Sequence, residues 1–132
     1  MNLSFPKKEH LCFKRRFDEL LTQGKSFFIY PFRVIYFLKE PDHDSIPMQV
    51  AIAVKKKQFK QAVTRNLIKR RFRESWRLQK SDLSTSLVKE GKSMYILMVY
   101  GASEVLPFSE IGTRMKLIMH RLTEVVITEN VQ

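Results

Sequence analysis

Eleven lysines and arginines fall between Lys55 and Lys80, against one acid, Glu74. Within that segment, Ala62–Gln79 contains good helix formers and neither proline nor glycine. On a helix at 100° per residue, Arg65, Asn66, Lys69, Arg70, Arg73 and Arg77 share one arc of roughly 140°. Ile68, Phe72 and Trp76 line up beside that arc, with Val63, Leu67 and Leu78 on the far side. Cations four residues apart repel by about 0.2–0.5 kcal/mol per pair. A closely placed row of phosphates relieves that repulsion and releases counterions. Arginine adds a planar, multi-donor head suited to phosphate, and Asn66 offers both an amide donor and an acceptor. The bland alternative is a solvated charged face, and the imbalance of charge in this segment argues against it. Arg71 sits off the arc, with no role readable from the sequence.

Residue types that support other chemistry are scattered. His10, His43 and His120 have no metal-ligand spacing. Asp42 and Asp44 flank His43 in what reads as a polar turn. Cys12, beside Phe13, reads as a small buried hydrophobe rather than a nucleophile. There is no glycine-rich phosphate loop. No catalytic residue and no metal ligand is therefore expected from the protein, and no cofactor bound by its side chains.

The whole chain has the same bias. It has 132 residues and a net charge of +11, which predicts one RNA-binding domain over 1–132 with an ordered core of about 5–125. Hydrophobic residues are 44% of the total, enough for a core. The longest apolar runs, Phe27–Phe32 and Met94–Val99, are far short of a membrane span. The N-terminus lacks the pattern of a secretory signal, and with one cysteine no internal disulfide forms. A cytoplasmic location is the expectation. The charge favours a polyanion, nucleic acid ahead of an anionic membrane, because the apolar residues are needed for the core. No dimer seam is visible, so no obligate protein partner and no membrane are expected.

These residues need a scaffold. Phe13, Phe17, Leu20 and Leu21 have helical spacing, ended by Gly24 as a cap. Phe27–Leu38 is aromatic and β-branched, and Pro31 divides it into a short strand or extended lead-in and a full strand. Phe32, Val34, Tyr36 and Leu38 share one face of that strand, and Arg33, Ile35 and Phe37 the other. Turn-rich Glu40–Pro47 predicts a hairpin into a strand over Met48–Val54. Lys80–Lys92 reads as a polar linker and Ser93–Tyr100 as a fourth strand. Pro107 suits a helix first turn, and Phe108, Ile111, Met115, Ile118, Leu122 and Val125 give the core stripe of a last helix. The prediction is an α+β domain in αβββαβα order, with a four-stranded mixed sheet packed with helices.

Lys56-Lys57, Ala62-Val63, Arg65-Asn66-Leu67-Ile68-Lys69-Arg70 and Arg73-Glu74-Ser75 together resemble the signature of the bacterial ribonuclease P protein subunit. Phe5-Pro6-Lys7-Lys8 is similar to that family's N-terminal lead, and Phe17–Gly24 to its first helix. Two departures stand out: Leu67 where a basic residue is usual, and no glycine in the spacer Gln58–Gln61. The resemblance implies a left-handed βαβ crossover, where general chirality favours the right-handed one. It implies a ribonucleoprotein endoribonuclease whose large RNA subunit holds Mg²⁺ and cleaves the 5′ leader from precursor tRNA. The protein's implied partners are that RNA, through Lys56, Lys57, Arg65, Asn66, Lys69, Arg70, Arg73 and Arg77, and the precursor tRNA. A cleft formed by Phe17, Leu21, Val34 and Tyr36 is implied to grip the single-stranded leader, with Lys14 and Arg15 nearby. From periodicity alone, Phe17 and Leu21 read as ordinary core.

Two rivals share the charge. One is a general RNA- or ribosome-associated binding module with no processing role. The other is a DNA-binding protein that lays Ala62–Gln79 in a major groove, although specific readout usually needs a dimer or an added module. The RNA that copurifies with the chain separates them.

Overall fold

A computed structural model describes residues 5–42 and 46–130. A short 3₁₀ turn, Lys7–Glu9, leads into α1 (Lys14–Gln23), β1 (Lys25–Ile29), β2 (Phe32–Lys39) and β3 (Met48–Val54). Then come α2 (Ala62–Gln79), α3 (Ser81–Glu90), β4 (Ser93–Tyr100) and α4 (Phe108–Asn130). Among the described residues the strands form one mixed sheet in the order β1-β2-β4-β3. β1 and β2 pair antiparallel, as do β2 and β4, while β3 and β4 run parallel. The domain is α+β, in agreement with the predicted order.

The hairpin predicted between β2 and β3 does not form. β4 inserts between them, with Phe32 opposite Tyr100 and Met48 opposite Met94. Both faces of β4 are heavily buried, and that burial favours the central place for the most apolar strand. The predicted turn residues 43–45, including His43 and Asp44, lie outside the described residues. The polar linker predicted over Lys80–Lys92 is largely helix α3. Leu83 and Leu87, one helical turn apart, are fully buried, and Gly91 at φ 65° closes the helix in the left-handed region. Two apolar anchors among serines and threonines were too weak a periodic signal.

Helices α2, α3 and α4 cover one sheet face. Ile68, Phe72 and Trp76 from α2, with Ile111, Met115, Ile118, Leu122 and Val126 from α4, pack on Phe32, Val34, Ile96 and Met98. Phe108, predicted at the head of the α4 stripe, is instead 40% exposed. The opposite face is covered in part by α1, where Leu20 joins Leu11 and Tyr95 in a second cluster. Gly24 does end α1, but in extended backbone (φ −75°, ψ 161°). A Cβ there would lie 2.4 Å from the Leu20 carbonyl oxygen and 2.9 Å from that of Tyr36, so close backbone approach demands the glycine. Cys12 is exposed rather than buried.

Candidate nucleic-acid interface

Helix α2 spans Ala62–Gln79, the predicted range. Its buried residues Ile68, Phe72, Ser75 and Trp76 hold one side against the core. Phe72 meets Phe32 edge-on at 5.9 Å between ring centroids. This anchoring turns the cationic arc outward. Asn66, Arg70 and Arg73 are exposed, and Arg65, Lys69 and Arg77 are half-exposed. Lys55, Lys56 and Lys57, at the end of β3, are exposed beside them, and buried Phe59 fixes the following turn by packing 6.0 Å from Tyr100.

The basic residues do not have equal freedom. Gln61 provides no side-chain cap for α2. Arg65 instead donates to the carbonyls of Phe59 at 2.7 Å and Lys60 at 2.9 Å, bracing the turn ahead of the helix. Arg77 pairs with Glu74 at 2.6 Å, and the hydrogen bond from Arg77 holds the Glu74 carboxyl below its ordinary range. Arg71 donates to the Leu106 carbonyl at 2.7 Å. It ties α2 to the segment before α4, a role invisible in the sequence. Lys80 is buried against Glu9 at 2.6 Å.

The other predicted site is divided by the sheet. Phe17 packs with Ile35, Phe37, Ala51 and Leu97 on the α1 side, and Leu21 is 59% exposed there. Val34 and Tyr36 point the other way, into the core under α4, at 0% and 7% exposure. The Tyr36 hydroxyl donates to Glu129 at 3.2 Å, and burial followed by the nearby Glu129 charge raises its pKa. Phe17, Leu21, Val34 and Tyr36 therefore cannot line one cleft. Strand parity is the reason: both faces of β2 are apolar, and only helix packing decides which one α1 meets. The residues facing α1 are Ile35 and Phe37, with Leu97 and Ala51 from neighbouring strands. Further along that face Phe28 is 55% exposed, and Arg33 is also exposed. The result is an apolar floor with an aromatic and a cation at its open end, features that suit stacked bases and a phosphate backbone.

A buried polar cluster sets α1 on that floor. Arg16 donates to the Gln49 side-chain oxygen at 2.5 Å and lies 3.6 Å from an Asp42 carboxylate oxygen. Asp42 also accepts from Lys39 at 2.9 Å and from the Tyr95 hydroxyl. Gln49 donates in turn to the Lys8 carbonyl at 2.9 Å. Burial alone would raise the Asp42 pKa, but the hydrogen bonds from Tyr95 and Lys39 outweigh it and hold the carboxyl below its ordinary value. Burial and the Asp42 carboxylate push the Tyr95 phenol far up. Sequence reasoning missed Arg16, Gln49 and Tyr95, because their partners are distant in the chain.

No group of three or more His, Cys, Asp or Glu side chains among the described residues is placed to hold a metal ion. Among those residues no helix is long and apolar enough to cross a membrane.

Residues 5–123 match the Ribonuclease P family. The ribonuclease P protein component of Porphyromonas gingivalis (strain ATCC 33277) is 30% identical over 116 residues, covering 88% of this chain and 84% of that protein. The Petrotoga mobilis protein of the same name is 37% identical over 78 residues, 59% of this chain and 62% of that one. The ribonuclease P protein of Thermotoga maritima has a similar fold, with TM-score 0.66, 24% identity and coverage of 86% of this chain and 96% of that one. The Staphylococcus aureus protein gives TM-score 0.65 at 19% identity, covering 86% and 94%.

Proposed function

This chain belongs to the ribonuclease P protein family, and from that premise we propose that it binds the catalytic RNA and the 5′ leader of precursor tRNA to promote removal of the leader. The observation that carries this reading is the outward cationic face of α2, where Asn66, Lys69, Arg70 and Arg73 stand beside Lys56 and Lys57. Arginine and lysine heads at helical spacing meet successive phosphates of a structured RNA, and Asn66 adds a two-way amide. The leader lies on the sheet face beside α1. Phe17, Ile35, Phe37 and Leu97 form its floor, and Phe28 and Arg33 continue the track. Cleavage belongs to the RNA, which also holds the Mg²⁺ ions; the protein's part is to grip and position. The cytoplasm is the site of this work.

The test is reconstitution. Highly purified protein free of RNA should leave precursor tRNA intact. Adding a ribonuclease P RNA at moderate Mg²⁺ should give accurate 5′ cleavage. Cleavage by the protein alone, or no effect of the protein on the RNA's activity, would reject the reading.

A further inference from the structure

Beside the cationic arc, α2 has a second exposed flank that phosphate binding does not explain. Val63 is 79% exposed near its start, and Leu67 follows one turn later. Phe108, the first residue of α4, stands opposite with 40% of its surface exposed. Leu67, Arg70, Arg71, Glu74 and Phe108 enclose an open groove of about 370 Å³, at the small end of ligand-binding clefts. The floor is held in place: Arg71 is bonded to the Leu106 carbonyl at 2.7 Å, just before α4 begins. Glu74 is engaged by Arg77, which leaves Arg70 exposed at the mouth.

We propose that this groove takes one unpaired nucleobase of the RNA subunit, stacked on the Phe108 ring and against Leu67, with the adjoining phosphate on Arg70. The proposal rests on the ribonuclease P reading above. Charge decides the occupant. A second copy of a chain with net charge +11 would bring like arrays together at this edge, whereas a polyanion gains from the same cations. The chemistry matches as well. An exposed aromatic ring with a guanidinium beside it is a stacking platform for a base, independent of its identity. Leu67 acquires a purpose here: a basic side chain at this position would place another charge in the apolar half of the groove.

The experiment compares holoenzyme assembly of wild type, Phe108→Ala, Phe108→Leu and Phe108→Trp across a salt series, with melting temperatures measured in parallel. The ring is the predicted determinant, so Ala and Leu should each weaken RNA affinity about tenfold, within the range for loss of one stacked base. The log–log salt slope should stay at the wild-type value, because these substitutions leave every phosphate contact in place. Phe108→Trp should keep its affinity, and its indole fluorescence should be quenched by RNA, against a background of one other tryptophan, buried Trp76. Equal affinity for all four folded proteins would overturn the proposal while the family reading stood. Self-association of the free protein that Phe108→Ala abolishes would assign the groove to a second copy and overturn it too. Wild type that fails to bind the RNA would remove the reading beneath it, and the proposal with it.

Discussion

The Arg16 guanidinium of α1 and the Gln49 side chain of β3 meet at 2.5 Å across the face of the sheet, although 33 residues separate them in sequence. Arg16 is 7% exposed and Gln49 4%, and the same guanidinium lies over the Phe13 and Tyr95 rings at 4.9 and 5.7 Å. This contact fixes the height of α1 above the floor on which the leader is proposed to lie. Removing one member of a buried, charge-assisted pair typically costs about 3–5 kcal/mol. Arg16→Met, which keeps much of the packing, should lower stability by about 2–4 kcal/mol in urea denaturation. At temperatures where it stays folded, affinity for leader-bearing precursor should fall more than affinity for mature tRNA. Unchanged stability would show that the cluster does not hold α1.

Asp42 gives that cluster a pH dependence. Its folded pKa lies below the ordinary value of 3.8, so its contribution is fully present above about pH 5. It is lost as pH falls through the depressed folded value. Asp42→Asn should therefore destabilise the chain near pH 7, and the gap from wild type should narrow progressively as pH falls below the ordinary carboxylate range. Denaturation midpoints measured from about pH 7 to about pH 2.5 check this, and a gap that stays constant across the range would contradict it.

On α2, the arginines separate into two kinds. Replacing Lys69, Arg70 and Arg73 together by Ala should weaken assembly with the RNA and lower the log–log salt slope by about one unit for each phosphate no longer bound. Circular dichroism should stay near wild type, because Ala is a strong helix former. Arg65→Ala should differ: it frees two carbonyls at the turn before the helix and should cost about 1–2 kcal/mol of stability. Assembly isotherms over a salt series, read beside melting curves, separate the two effects. A triple variant with wild-type affinity and slope would reduce the α2 face to a solvated surface.

The two faces of β2 can be tested against each other. Tyr36→Phe removes the hydrogen bond to Glu129 and should cost about 1 kcal/mol, with the ratio of precursor to mature tRNA affinity unchanged. Phe37→Ala acts on the α1 side and should lower that ratio. Because Phe37 is half-buried and packs on Tyr95 at 6.4 Å, its stability loss must be measured too, and binding compared at equal folded fraction. A lowered ratio for Tyr36→Phe with none for Phe37→Ala would place the leader on the wrong face.

Local pattern alone identified the α2 segment, its cationic arc and the alternation along β2, because helical and strand periods are properties of adjacent residues. Apart from α3, the order of elements followed from the same periods and from the punctuation at Gly24, Pro31 and Pro107. Everything that depends on which element lies against which was decided only by the tertiary structure. Two apolar faces of β2 are equivalent in sequence until α4 covers Val34 and Tyr36 and α1 covers Ile35 and Phe37. The β2–β3 hairpin was excluded because the apolar strand β4, which follows β3 only after α2 and α3, gains more by burying both its faces between them. Helix α3 exists because Leu83 and Leu87 find α4 to pack on, a gain that no local propensity records. Phe108 stayed at the surface although its spacing suited the core, lining a groove with Leu67 and Arg71 of α2 instead. Side-chain partners across the fold, Arg16 with Gln49 and Arg71 with Leu106, are likewise matters of long-range packing, and periodicity has no access to them.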